Sequence, residues 1–118
     1  MMERTKQQIG KASKARGKRA ELDLVHQLQK FGFEARRTAQ YCGKAGTSDV
    51  VGVPGVHCEC KAVQRLNIWE ALSQSERDSA ADGNGDIPAV FFKRNRSGWY
   101  VAMPLKDFIG LYQGELKK

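Results

Sequence analysis

Two valine-bearing runs, residues 49–53 (Asp-Val-Val-Gly-Val) and 56–63 (Val-His-Cys-Glu-Cys-Lys-Ala-Val), are separated by nothing more than Pro54-Gly55. Proline then glycine is turn chemistry, and short valine-rich runs on either side of a turn form neighbouring strands. Successive side chains in a strand alternate faces. His57, Glu59 and Lys61 therefore share one side, and Val56, Cys58, Cys60 and Ala62 the other. We expect the cysteines to pack inward and the acid and the lysine to stand together on a working face.

Register decides what Glu59 meets. With Gly52 facing Val56 across a three-residue connection, Val50 faces Cys58 and Asp49 faces Glu59. A two-residue loop would set Asp49 beside Cys60 on the opposite side, because a one-residue slip swaps the faces. We expect the odd-length connection, or a bulge with the same effect. Two carboxylates held opposite each other repel unless a cation lies between them. Oxygen ligands suit Mg²⁺, which keeps several waters and binds phosphate oxygens. The plainer readings are a solvated Glu59–Lys61 pair and an Asp49 that caps a strand.

Upstream, Leu24, Val25, Leu28 and Phe31 recur at helical spacing over residues 19–31, and Gly32 supplies a stop. Glu21 falls on that apolar stripe. An unpaired acid there costs several kcal/mol or shifts its pKa. A metal ion, or water on it, would account for the placement. So would the helix dipole, were Glu21 near a helix start.

The remaining elements follow from local signals. Residues 33–38 read as a strand and 41–47 as a glycine-bearing loop. Asn67 with Glu70 makes a capping box for a helix running to about Ala81, ended by Asp82-Gly83-Asn84-Gly85-Asp86. Strands at 88–93 and 99–103 flank Asn95-Arg96-Ser97-Gly98, and 104–112 is a final helix. The order αβββαββα predicts an α/β domain with a mixed sheet flanked by helices. At 118 residues one domain is expected over 19–118, preceded by a basic segment at 1–18. That segment reads as a flexible arm or as an extension of the first helix.

Twenty Lys+Arg against thirteen Asp+Glu give a net charge of +7. Such an excess favours a polyanionic partner, nucleic acid first. Lys14, Arg16, Lys18 and Arg19 lie in the basic segment, Arg36, Arg37 and Lys44 flank the loop before Asp49, Arg65 follows the Glu59 strand, and Lys93, Arg94 and Arg96 cluster at the last turn. Each is a candidate phosphate contact; each is also compatible with a merely solvated surface. No apolar run suits a membrane span or a signal peptide. Three cysteines without an export signal are expected to be reduced thiols in the cytoplasm. A zinc site from Cys42, His57, Cys58 and Cys60 is disfavoured, because Cys58-x-Cys60 is too tight and His57 points the other way.

Gly17-x-x-x-Glu21 opening a helix, then Ser48-Asp49, then Glu59-Cys60-Lys61, resemble the PD-(D/E)xK nucleases, and most closely the small Holliday-junction resolvases of archaea and phages. The resemblance runs from about Gly17 to Tyr112, and the 92–101 turn looks like phage-borne members. Ser48 stands where the family pattern has proline. The resemblance implies a restriction-endonuclease-like fold and a Mg²⁺-dependent DNA endonuclease, with Mn²⁺ as a substitute, that cuts four-way junctions as a homodimer in the nucleoid or a phage-infected cell. It implies that Asp49, Glu59 and the Cys60 carbonyl bind the metal, that Glu21 contacts the metal or its water, and that Lys61 orients the attacking water. Two alternatives stay open: a nuclease of the same fold acting on flap, damaged or foreign duplex DNA, and a non-cleaving nucleic-acid-binding module.

Overall fold

The computed structural model describes residues 6–38 and 48–116, with side chains at 14–38 and 48–114. Lys44, Cys42 and the rest of the glycine-bearing loop lie outside the described residues. The elements run α1 (Lys6–Lys30), β1 (Arg36–Arg37), β2 (Val50–Val51), β3 (Val56–Ala62), α2 (Ile68–Asp82), β4 (Ile87–Lys93), β5 (Tyr100–Ala102) and α3 (Leu105–Leu116). This is the expected order, with shorter strands at the β1 and β2 edge.

The strands form one mixed sheet in sequential order β1-β2-β3-β4-β5. Among the described strands only β3 and β4 pair in parallel, and α2 makes the crossover between them. Val50 faces Cys58. The Val56 N–H donates to the Val53 carbonyl at 3.1 Å, a tight turn over Pro54-Gly55, and the Asp49 N–H donates to the Cys58 carbonyl at 3.0 Å, so the expected register is reached through a bulge on the β2 side and not through a three-residue connection.

One face of the sheet is closed by α1. Leu24, Val25 and Leu28 pack with Ala35, Val50, Cys58, Ala89 and Phe91. The other face is covered by α2, whose small buried residues Ala71, Ser75 and Ser79 allow close approach to β3 and β4. The Asn67 side chain accepts the Glu70 N–H at 3.1 Å, and Gly83 ends α2 in the left-handed region, the cap and stop their sequence signals specify.

Two expectations change. Phe31 is 80% exposed and not part of the apolar stripe. The helix ends at Lys30 and the chain reverses at Gly32, whose φ of +96° and N–H bond to the Gln29 carbonyl close the C-terminus. Phe31 is thereby carried off the helical repeat. In addition, α1 starts at Lys6, so Gly17 and Glu21 sit inside the helix rather than opening it. The basic segment from Lys6 to Lys18 is helical, the second of the two forms the sequence allowed.

Candidate active site

Both faces of β3 are covered, and this sets the character of the site. His57 is 1% exposed and Glu59 4%. The expected working face is therefore buried over most of its length, and of its three residues only Lys61 at the strand end is partly open. A solvated Glu59–Lys61 pair is excluded by that burial.

Asp49 sits at the bend where β2 begins. Its N–H donates to the Cys58 carbonyl at 3.0 Å, and its Oδ2 accepts the Cys60 N–H at 2.8 Å. The second bond ties the carboxylate to β3 rather than leaving it as a cap on its own strand. Glu59 lies next to it. Burial first, then the charge of Asp49 and the neighbouring Asp78, push the Glu59 carboxyl up to about 8. His57 Nδ1 lies 3.6 Å from Glu59 Oε1, beyond hydrogen-bond reach, and that buried oxygen makes no hydrogen bond.

Glu21 reaches the same neighbourhood from α1. Its carboxyl is raised, by burial first and in part by the charge of Asp49, and Arg37 opposes that rise. Arg37 Nε donates to Glu21 Oε1 at 2.9 Å. Glu21 lies several turns inside α1, where the field of the helix terminus has died away, so the dipole does not account for it. Cys60 and Lys61 line a groove of about 260 Å³ with Arg16, Gly17, Ala20 and Glu21. A larger hollow of about 580 Å³ between the end of α2 and the start of α3 holds none of these acids; those on its rim are Glu76, Asp86 and Asp107. Chemistry and not volume selects the site.

The structure thus sets Asp49 near both Glu59 and Glu21, with Cys60 and Lys61 beside Glu21, but among the described residues the three expected acids do not meet at one point. It also adds neighbours that sequence reasoning passed over. Asp78 falls on the stripe of α2 that carries Ala71, Ser75 and Ser79; the helical repeat of small residues was the signal that could have found it. Arg37, expected at phosphate, is instead the partner of Glu21.

Hard oxygen donors fit a divalent cation of the magnesium type in their chemistry. The hydrogen-bond-free Oε1 of Glu59 beside a second carboxylate is the arrangement that a cation relieves. Among the described residues no three His, Cys, Asp or Glu side chains close on a common point as a metal cage. Asp49 and Glu59 are the two carboxylates that could share such an ion, within the one or two that Mg²⁺ commonly takes from protein. The thiols do not compete: Cys58 is in the core, and burial first pushes both Cys58 and Cys60 up to about 12.

A stability measurement checks this electrostatic picture. With its folded pKa above the ordinary 4.5, Glu59 binds its proton more tightly in the folded state. Its contribution is full below about pH 4.5 and is lost as pH rises through about 8. In EDTA the melting temperature of the parent should fall across that window, and Glu59→Gln should flatten the fall and melt a few degrees higher at pH 8.5. Equal slopes would place Glu59 in a different environment.

Of the other candidate phosphate contacts, Lys14, Arg16, Lys18 and Arg19 are exposed along α1, and Arg36, Arg65, Arg94 and Arg96 are exposed on β1, after β3 and at the β4–β5 turn. Lys93 is engaged: its Nζ is 3.8 Å from Asp23 and 5.7 Å from the Trp99 ring centre, and Trp99 Nε1 donates to Asp23 at 2.8 Å.

A mixed sheet with an acid at the strand entrance and a Glu-x-Lys on the central strand defines an α/β fold of the kind seen in a Holliday junction resolvase. The solved structure of Hjc, a Holliday junction resolvase from the archaeal hyperthermophile Archaeoglobus fulgidus, superposes with a TM-score of 0.55 at 26% identity, over 75% of this chain and 72% of that one. No family model and no curated protein matches the sequence. Among the described residues no helix is long and apolar enough to cross a membrane.

Proposed function

We propose that this chain is a divalent-metal-dependent DNA endonuclease that resolves four-way junctions as a homodimer. The observation that carries the reading is the buried Glu59 carboxylate held against Asp49, with Lys61 two residues on and open to a groove. The likeness to Hjc, and the sequence resemblance to small resolvases, supply the substrate class.

Asp49, Glu59 and the Cys60 carbonyl would hold Mg²⁺ or Mn²⁺, which would polarise the phosphodiester and lower the pKa of a bound water. Lys61 presents its ammonium to the groove, where it orients the attacking water and steadies charge on the phosphoryl oxygens. Glu21, fixed by Arg37, stands opposite Lys61 and positions water in the same space. Basic groups on α1 and at the β4–β5 turn bind backbone phosphates, which sets position without reading sequence.

The test is cleavage with Mg²⁺ of an immobile four-way junction, a flap and a linear duplex at equal concentration. Preferential cutting of the junction is expected. Equal cutting of all three would favour the flap or foreign-duplex nuclease, and binding without cutting would favour the non-cleaving module. Neutralising Lys14, Lys18 and Arg19 together should lower the salt dependence of DNA affinity by up to about one unit of slope per cation. An unchanged slope would remove the helix from the DNA path.

The homodimer reading draws support from α3. Leu105, Phe108, Ile109 and Tyr112 recur at helical spacing and are all exposed. An apolar stripe of this size on a soluble helix is a contact surface. Paired copies would present two active sites to two strands. Phe108→Glu should convert a sedimenting dimer to a monomer and leave the melting temperature of the domain nearly unchanged. A parent that sediments as a monomer at micromolar concentration would reject the dimer.

A further inference from the structure

In the sheet register Lys61 pairs with Phe92, and Phe92 pairs with Tyr100. Directly paired residues project from the same face. The lysine at the candidate active site is therefore the first member of a row that continues into two aromatic rings. The rings of Phe92 and Tyr100 lie 5.9 Å apart at 30°, and Tyr100 is 61% exposed. They open onto a hollow of about 380 Å³ whose other walls include Val63, Gln64 and Arg94. Gln64 Oε1 accepts the Asn95 N–H at 2.6 Å, which ties the turn after β4 to the end of β3 and fixes where Arg94 stands.

We propose that this hollow receives one unstacked nucleobase of the DNA substrate, beside the phosphate that Lys61 addresses. This rests on the nuclease reading above. Aromatic faces take any base by stacking, and a guanidinium at the rim takes its phosphate. A paired base inside a duplex cannot enter, so the pocket favours DNA whose stacking is already broken, as at a strand-exchange point. The charge matches that occupant: the rim is basic, and Arg94 is exposed.

The experiment uses the full chain in EDTA, so that binding is read without cutting. 2-Aminopurine is placed at an unpaired position in one oligonucleotide and at a paired position in an otherwise equal duplex. The parent should quench the unpaired probe and bind that DNA more tightly. Tyr100→Leu should lose the quenching and about tenfold of the affinity for the unpaired DNA, with duplex affinity unchanged. Tyr100→Phe, which keeps the ring, should behave as the parent does. Equal quenching and affinity in Tyr100→Leu would overturn the proposal, as would a loss in Tyr100→Phe equal to that in Tyr100→Leu. A change in self-association by Tyr100→Leu would also overturn it, by giving the hollow to a second copy of the chain. A parent that passes this test but never cuts DNA leaves the pocket standing and removes only the endonuclease.

Discussion

Asp49→Asn is expected to cut metal-supported cleavage by about 10²–10³-fold and leave fold and DNA binding in place. The substitution keeps the shape of the side chain and removes its charge. An amide oxygen can still accept the Cys60 N–H that Asp49 Oδ2 accepts at 2.8 Å, so the bend before β2 stays tied to β3. Repulsion of Glu59 falls at the same time, because the Asp49 charge is a named cause of its raised pKa. The metal-free variant should therefore melt no lower than the parent. What it loses is one of two carboxylates that would share a cation, and removal of a single electrostatic contributor at a reacting phosphate costs about 10²–10³-fold in rate. Lys61→Ala should fall by a comparable factor. Its side chain is partly exposed at the strand end, so its loss leaves little void. Junction binding in EDTA should survive in both, since affinity rests on basic groups elsewhere. The measurement is initial cleavage rate beside a binding isotherm. A rate near that of the parent in either variant would move the active site away from β3.

Gly52→Ala should be the most damaging glycine-to-alanine change among the described residues. Gly52 has φ +109°, a conformation that side chains rarely adopt. A Cβ there would lie 2.2 Å from the Glu34 carbonyl oxygen and 2.6 Å from the Ala35 Cα. Both are backbone atoms and cannot swing aside. Backbone strain of about 1–3 kcal/mol adds to the cost of parting two strands of the sheet. A loss of at least about 3 kcal/mol is expected, a large share of the stability of a small domain. Urea unfolding measures it. Gly55→Ala is the control: φ is again positive, but nothing lies within 4 Å of the added Cβ, so a loss of about 1 kcal/mol is expected. Equal losses at the two positions would show that conformation alone, and not the close approach of β1, is what Gly52 serves. The consequence reaches the site, because Arg37 on β1 holds Glu21 and pairs with Val50 beside Asp49.

Much of this was legible from short-range rules. Pro54-Gly55 marked the turn, and of the two registers weighed the one with Val50 facing Cys58 is formed, through a bulge. Asn67 with Glu70 and Gly83 mark the ends of α2 as written. The α1 boundary was not legible, because residues before Ala20 carry no apolar repeat and a helix running past the sheet needs none. Nor was the burial of Glu59. Alternation in β3 looks like one wet face and one dry face, whereas a strand covered by α1 and α2 has two dry ones. The Glu21–Arg37 pair joins residues on different elements, and no local pattern announces such a meeting.

The chain itself therefore determined which elements form, in what order, and which residues of β3 share a side, because turns, caps and alternation are properties of neighbours. Only the tertiary structure decided that Glu59 would be dry, that Asp49 would bond to the Cys60 backbone, and that Lys61 would continue into an aromatic row across three strands. Each of these depends on which element covers or adjoins another, and that is settled when the layers pack.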